Sequence, residues 1–281
     1  EEIGLLFGPV VLTNTASVGT AHQTMIAWAR DRIDDPMVRL ARTTPVVGET
    51  WDGQLNDIFG FHLQAEHVVR ALESAEGGPV AEGSVGGGTG MTCYDFKAGI
   101  GTASRLVAID RDEHRVGVLV QANYGRRPQL RIAGVPVGVE LADPAPVLPV
   151  TRRGDGSIIV LVATDAPLLP SQLRAVAKRA ALGLGRNGSI AANTSGDLFL
   201  AFSTANRHRY GAPGPGRFAF VPTERIDPVF AATVEATEEA IVNAMVAADP
   251  MTGVDGAFYP SLRHERLREL LRRYGRLVEG R

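Results

Sequence analysis

The sequence is poor in the residues and runs that several protein classes require. It contains one cysteine, Cys93, so a disulfide within the chain is excluded. A lone cysteine suits a reducing compartment, and without an obvious partner we expect a small buried thiol rather than a nucleophile. No apolar run reaches the length of a membrane span, and we expect no signal peptide in the sequence given, because its first residues lack the charged-then-apolar pattern.

Neither sign of charge dominates. The chain has 29 Lys and Arg against 31 Asp and Glu, which gives a formal net charge of −2. Such a balance provides no electrostatic reason to expect a nucleic acid or an anionic membrane as partner. The basic segment 263–276 alternates Arg with Leu and Glu, which predicts a solvated amphipathic helix.

The sequence also lacks the motifs of the best known hydrolases. Of its six histidines only His62 and His67 are close, and their spacing of five residues misses the i, i+4 spacing of a helical zinc site. No serine stands in a G-x-S-x-G elbow. We therefore expect no metal, no cofactor and no Ser-His-Asp triad, and a nucleophile here would need another base.

What the chain does contain is an alternation of strands and helices. Its 281 residues, 44% of them hydrophobic, can form one large α/β domain or two smaller ones. The strand-like runs are "PVVLTNT", "RLVAID", "RVGVLVQANYG", "SIIVLVATDAP" and "DLFLAFSTAN", and the helix-like runs cover 19–32, 62–75, 171–186 and 228–248. The turn-rich stretch "VVGETWDGQLNDIFG" and the proline-rich segment 133–156 are predicted to be loops. Two sheet layers covered by helices, an α/β or α+β sandwich, would account for this order.

Residues 79–105 are the richest in glycine. The run "GSVGGGTG" has glycines at dinucleotide-type spacing, but no strand leads into it and no GK[ST] ends it, so a nucleotide site is not expected. Glycines also permit close backbone approach, and they leave amide N–H groups open to a neighbouring strand or a substrate oxygen. A tight packed turn is an equally good interpretation.

The seam between the proline-rich segment and the following strand raises a chemical question. In "RRGDGSIIVLVATDAP" the hydroxyl of Ser157 follows Gly156 at the start of an apolar β-branched run. Such a serine can be a simple cap or turn residue. It can also attack the preceding carbonyl, after which hydrolysis of the ester would free an α-amine that titrates near neutral pH and can act as a base.

Six blocks of the chain resemble the β-aminopeptidase family, which includes the bacterial L-aminopeptidase D-amidase/D-esterase. They are "PVVLTNTASVG", "GETWDGQLNDI", "EGSVGGGTGMTCYDFKAGIGTASR", "VGVLVQANYGRR", "GSIIVLVATDAPLLP" and "NTSGDLFLAFSTAN". The resemblance covers roughly residues 8–260. It begins partway into the family's usual length, and the chain starts with Glu1, so we expect a missing N-terminal part. The expected compartment is cytoplasmic, and a periplasmic location is left open.

The resemblance implies a four-layer αββα sandwich and a self-processing N-terminal nucleophile. Cleavage after Gly156 would give an α polypeptide of residues 1–156 and a β polypeptide of residues 157–281, both within one domain. By the same resemblance Ser157 is the nucleophile and Asn123 stabilises the oxyanion. Ser195 and Asp197 orient and polarise the nucleophile; at the position of Asp197 the family often has Glu.

The implied function is removal of N-terminal residues from short peptides, or hydrolysis of amino-acid amides and esters, by a homo-oligomer, a tetramer of αβ units. Trp51 departs from the family, which usually has Tyr at this position. An indole cannot relay a proton as a phenol can. We therefore expect the Trp51 side chain either to shape the substrate site or merely to fill core space beside Phe59 and Phe61. Two alternatives remain. One is an acyltransferase of the ornithine acetyltransferase type, although such enzymes are expected to cleave their own chain before Thr rather than Ser. The other is a binding protein that has lost enzymatic activity because Trp51 replaces the tyrosine.

Overall fold

A computed structural model describes residues 4–34, 45–149, 154–207 and 214–278. The strands in these ranges are β1 (Val10–Asn14), β2 (Val46–Thr50), β3 (Thr92–Cys93), β4 (Phe96–Lys97), β5 (Ile100–Ile109), β6 (Asp112–Tyr124), β7 (Gly156–Thr164), β8 (Leu198–Ser203), β9 (Met251–Thr252) and β10 (Phe258–Tyr259). The helices are α1 (Val18–Arg32), α2 (Ala65–Glu73), α3 (Val137–Glu140), α4 (Pro170–Arg186), α5 (Asp227–Val246) and α6 (His264–Arg273).

Strands β5 to β8 form the main sheet in sequential order. β5 and β7 pair with β6 in antiparallel orientation, and β8 adds in parallel to β7. The register follows from alternation: Val116, Val118, Val120 and Ala122 of β6 all point to one face and are buried in the main core. The strand predictions for these segments are confirmed.

Each face of this sheet is covered by a different kind of layer. Helices α4 and α5 pack on the face that carries the β6 valines. The parallel pair β1–β2 lies against the other face, where a Cβ on Gly48 would come within 3.2 Å of Ile159. Helices α1 and α2 cover the outer side of β1–β2 through a small cluster of Ala21, Met25 and Val68. The order helix, sheet, sheet, helix is the αββα sandwich that the family resemblance implies.

Small residues allow helix α5 to approach the main sheet closely. Ala232, Ala236, Ala240 and Ala244 recur every fourth residue and form one buried helix face. Gly101 of β5 faces this stripe, and a Cβ there would lie 2.0 Å from the carbonyl oxygen of Ala240. Because the helix backbone occupies the space of a side chain, only glycine fits at this position without movement.

Two loop predictions were wrong in part. Residues 46–50 form strand β2, because pairing with β1 overrides the local turn signals of this stretch. The segment 133–156 contains the short helix α3 and, from Gly156, the start of β7; residues 150–153 of it lie outside the described ranges.

The predicted amphipathic helix near residue 270 is confirmed as α6, which buries Leu267 and Leu270. Among the described helices, none combines the length and apolarity needed to span a membrane.

We predict that Gly101→Ala lowers the free energy of unfolding by about 1–3 kcal/mol, because the added methyl group must displace helix backbone. Gly185→Ala is the matched control: Gly185 lies in α4, is exposed and has open space where the Cβ would be. Since alanine favours helix, the control should be neutral or stabilising by up to about 1 kcal/mol. Urea unfolding of both variants measures the difference; equal stabilities would contradict the close approach of α5.

Candidate functional site

Ser157 and Asn123 face each other across two strands of the main sheet. In the β6–β7 register Asn123 is the direct Cα partner of Ser157, and Tyr124 is that of Gly156. Directly opposed residues of an antiparallel pair project from the same face, with Cβ atoms about 4.5–5.5 Å apart. Since Ile159 of the same strand face contacts β2, the hydroxyl and the amide project into the region between the two sheets.

Hydrogen bonds fix the orientation of the Asn123 amide. Its Oδ1 accepts from the main-chain N–H of Thr92 at 3.0 Å, and its Nδ2 donates to the main-chain carbonyl of Trp51 at 2.7 Å. A main-chain N–H can only donate and a carbonyl can only accept, so the amide cannot be flipped. The side chain is buried, and its remaining N–H is a preorganised donor.

Asp197 and Ser195 reach the seam from the neighbouring strand. Asp197 immediately precedes β8, and its Oδ1 accepts from the main-chain N–H of Ile158 at 3.1 Å. The hydroxyl of Ser195 donates to the same carboxylate oxygen. The turn that holds Ser195 is closed by its own N–H, which donates to Ala192 O at 2.7 Å. The carboxylate therefore lies at the first peptide after Ser157.

The backbone just before Ser157 is held from the β6 side. Gly156 has a φ of +73°, in the left-handed region that favours glycine. The carbonyl of Asp155 accepts from Gly125 N–H at 2.8 Å, and its carboxylate accepts from Arg126 Nε at 2.6 Å. Arg126 also donates to the carbonyl of Gly154.

From the other side, Thr194 Oγ1 accepts from the Asp155 N–H at 3.1 Å. The backbone of Asp155, the residue before Gly156, is therefore clamped between the end of β6 and the 192–197 turn. Such a clamp on two sides can maintain the left-handed Gly156, a conformation that stores strain for most other residues.

Trp51 contributes to the site through both its backbone and its indole. Its carbonyl holds Asn123, whereas its side chain is 44% exposed and meets the ring of Phe59 edge to face at 5.8 Å. Phe59 and Phe61 are more exposed still, so the alternative that Trp51 fills core space beside them is wrong. The residue whose carbonyl holds Asn123 therefore carries an exposed aromatic side chain.

A buried carboxylate supports the turn that carries Trp51. Asp52 Oδ2 accepts from the side-chain amides of Asn14 at 3.2 Å and Asn56 at 3.0 Å. Burial raises the pKa of the Asp52 carboxyl, and these hydrogen bonds act in the opposite direction. The ends of β1 and β2 are thus tied together next to Asn123.

The glycine-rich segment is a packed turn beside the site. Residues Gly86–Gly88 form a 3-10 turn, and a Cβ on Gly88 would lie 2.6 Å from the N of Ile100 at the start of β5. A Cβ on Gly87 would lie 2.3 Å from Oε1 of Gln121. Of the interpretations left open by the sequence, close approach to neighbouring strands is therefore the one that the geometry favours.

Several residues that shape the site were not singled out from the sequence. Thr92 acts through its main-chain N–H, which no side-chain pattern reveals. Arg126 and Asp155 had a weak signal, since an acidic residue between two glycines adjoins the seam and an arginine pair follows β6.

Cys93 is buried, as predicted. In the described part of the chain no group of three His, Cys, Asp or Glu side chains is arranged to hold a metal ion.

Together these groups can support acyl transfer. A hydroxyl at a strand terminus, an amide N–H held beside it and a carboxylate at the next peptide correspond to a nucleophile, an oxyanion donor and a group that stabilises a nearby ammonium.

Comparison with known proteins agrees with this chemistry. Residues 1–259 match peptidase family S58. The beta-peptidyl aminopeptidase BapA of Sphingosinicella microcystinivorans is 50% identical, over 99% of this chain and 72% of its own length.

Two solved structures are similar over nearly the whole chain. The PH0078 protein of Pyrococcus horikoshii OT3 superposes with a TM-score of 0.91 at 45% identity, covering 98% of this chain and 75% of its own. The L-aminopeptidase D-Ala-esterase/amidase of Ochrobactrum anthropi, described as a prototype for the serine aminopeptidases and a variant of the Ntn hydrolase fold, has a TM-score of 0.87 at 46% identity. It covers 96% of this chain and 75% of its own.

Proposed function

This chain belongs to peptidase family S58, and from that premise we propose that it cleaves itself between Gly156 and Ser157 and then uses the new N-terminal serine on substrates. It is a hydrolase of the serine N-terminal nucleophile class, an aminopeptidase or amidase. The observation that carries the proposed assignment of residues is the β6–β7 register, which sets Asn123 directly opposite Ser157.

Self-cleavage would start with attack of Ser157 Oγ on the carbonyl carbon of Gly156. The C–N bond of that peptide breaks, the proton of the hydroxyl goes to the leaving nitrogen, and an ester joins the two residues. Water then hydrolyses the ester and frees the α-amine of Ser157. The left-handed Gly156 and the clamp around Asp155 support this step, because they fix the backbone just before the scissile peptide and because glycine has no Cβ to crowd the carbonyl under attack.

In the processed enzyme the α-amine of Ser157 serves as the base for its own hydroxyl. An unperturbed α-amine has a pKa of about 7.7–8.0, so a substantial neutral fraction exists near neutral pH. Asn123 donates its remaining N–H to the developing oxyanion. Asp197, which accepts from Ile158 N–H and Ser195, orients the nucleophile and balances the ammonium form of the amine.

The proposed substrates are short peptides with a free N-terminus and amino-acid amides or esters. Relatives named for β-peptidyl substrates and for L-amino-acid and D-alanine derivatives support this range. The exposed Trp51 indole is proposed to bind the substrate beside Asn123. We further propose assembly into tetramers of αβ units and a cytoplasmic location. The acyltransferase and inactive-binder alternatives are not favoured, because the relatives are aminopeptidases and Ser157 is present.

Mass spectrometry of the purified protein tests self-cleavage. We predict two chains of 156 and 125 residues that remain associated, because β6 and β7 pair across the cut. Ser157→Ala should remain one uncut chain without amidase activity, whereas Ser157→Cys should still be cut, since a thiolate is a strong nucleophile. A parent enzyme that hydrolyses amides while remaining a single chain would overturn the mechanism.

Asp197→Asn tests the partner of the α-amine. Asparagine keeps an oxygen that can accept from Ile158 and Ser195 but removes the negative charge. Loss of a neighbouring charge lowers the pKa of the α-amine, so the rising limb of kcat/KM against pH should move to lower pH while kcat falls. Ser195→Ala, which keeps the carboxylate, is the matched control and should leave the limb in place. An unmoved limb in correctly cleaved Asp197→Asn would make Asp197 a structural cap.

Trp51→Tyr separates pocket shape from proton transfer. The Trp51 carbonyl holds Asn123 whatever the side chain, so the substitution should leave the oxyanion donor in place. We expect an altered ratio of kcat/KM between bulky and small amino-acid anilides, because the exposed ring proposed to bind the substrate changes size. A substrate-independent rise in kcat of about tenfold or more, ~1.4 kcal/mol, would instead assign a proton-relay role to this position.

A further inference from the structure

One of the two lysines in the chain, Lys97, is fully buried near the site. Its Nζ donates to three main-chain carbonyls, those of Ala98 at 2.6 Å, Met91 at 2.9 Å and, more weakly, Gly88 at 3.4 Å. An ammonium group has three N–H donors, so the number of acceptors matches the charged form. The other lysine, Lys178, is exposed on α4.

The acceptors lie on either side of the strand that orients Asn123. Gly88 and Met91 belong to the glycine-rich segment that runs into Thr92, and Thr92 pairs with Lys97 across the β3–β4 hairpin. Thr92 N–H is the donor that holds Asn123 Oδ1. A single cation thus connects both ends of the 88–91 segment to the hairpin on which the oxyanion donor depends.

We propose that Lys97 is a positioning residue for the reaction: its ammonium group holds the 88–92 segment so that Thr92 keeps the Asn123 amide aimed at the developing oxyanion. This inference rests on the proposed role of Asn123. Lys97 acts through Thr92 and Asn123, the two residues that lie between it and Ser157.

The chemistry of the segment explains why a cation stands in this position. Carbonyl groups in a tightly packed turn are cut off from water and need donors from within the protein. The ammonium group donates to Ala98 O and adds a second donor to Gly88 O and Met91 O, which already accept from main-chain N–H groups; an apolar side chain of the same length supplies none of these bonds. Burial lowers the pKa of Lys97 to about 7.

Lys97→Met keeps the length of the side chain and removes its donors. The variant should fold, because Gly88 O and Met91 O retain their bonds from Met91 N–H and Ala98 N–H. We expect kcat on an amino-acid anilide to fall about tenfold with KM changed less than about twofold, since a misaligned oxyanion donor affects the transition state rather than the bound substrate. Lys178→Met is the control and should leave both constants unchanged. Lys97→Arg, which restores a cation, should recover part of kcat.

A double-mutant cycle with Asn123→Ala distinguishes positioning from general support of the fold. Asn123→Ala alone should lower kcat by roughly 10²–10³, as expected for loss of an oxyanion donor. Adding Lys97→Met to it should then cost less than about twofold more, because the group being positioned is already absent. Additive losses, or a Lys97→Met enzyme with unchanged kcat, would overturn the proposal. An unchanged kcat in Asn123→Ala would instead overturn the proposed function of Asn123.

A second measurement does not depend on whether Lys97→Met folds. Protein labelled with 15N-lysine carries two Nζ groups, and the Lys178→Met variant assigns them by elimination. Introducing Asn123→Ala should shift the Lys97 Nζ resonance, because Thr92 loses its acceptor and the 88–92 segment relaxes. The Lys178 resonance should stay in place. An unmoved Lys97 signal would refute the coupling between Lys97 and Asn123.

Discussion

The pairing of β6 with β7 is the interaction on which the rest of the site depends. A shift by one residue would turn every side chain of the shifted strand to the opposite face, which would place Ser157 or Asn123 in the main core. A shifted register is disfavoured because the residues that alternate with Asn123 and Ser157, such as Ala122 and Ile158, are buried against α4 and α5. Their burial contributes free energy in proportion to the apolar area removed from water. The hydrophobic face of the sheet therefore determines the geometry of its polar face.

The polar face is organised by close backbone packing. The glycine-rich turn lies against β5 and β6 at distances that exclude a Cβ. Gln121, near the end of β6, donates to Thr13 O at 3.0 Å and to the Thr50 hydroxyl at 2.7 Å. These bonds connect the two sheets across their interface. Since buried polar groups are costly unless they are paired, such contacts favour one arrangement of the layers over its neighbours.

Two buried cations beside the β3–β4 hairpin follow the same principle. Lys97 donates to carbonyls of the glycine-rich segment, and Arg127 donates to the carbonyls of Leu141, Ala142 and Pro144 while its guanidinium lies over the ring of Phe96. In both cases a positive charge is solvated by main-chain dipoles of irregular segments. These bonds give the carbonyls of irregular segments donors from within the protein and attach the segments to the hairpin.

Much of the architecture was predictable because strands and helices carry periodic patterns. The β-branched runs of β6 and β7, the helices α1, α4, α5 and α6 and the seam at Gly156 and Ser157 can all be recognised from local sequence. The resemblance to a family added Asn123, Ser195 and Asp197 as expected partners, and the structure brings these residues to the seam. Strand β2 was missed, since its pairing with β1 is not a local property.

The amino-acid sequence by itself determined most of the long strands and helices, the sandwich class that their order implies and the serine at the strand start. Only the tertiary structure decided that Thr92 and Trp51 hold Asn123, that the Trp51 indole is exposed, and that Lys97 is buried among carbonyls. The physical reason is sequence separation: Trp51 and Asn123 are 72 residues apart, and Ile158 and Asp197 are 39 apart. Local patterns report the period of a segment, whereas contacts over such separations depend on how the layers pack.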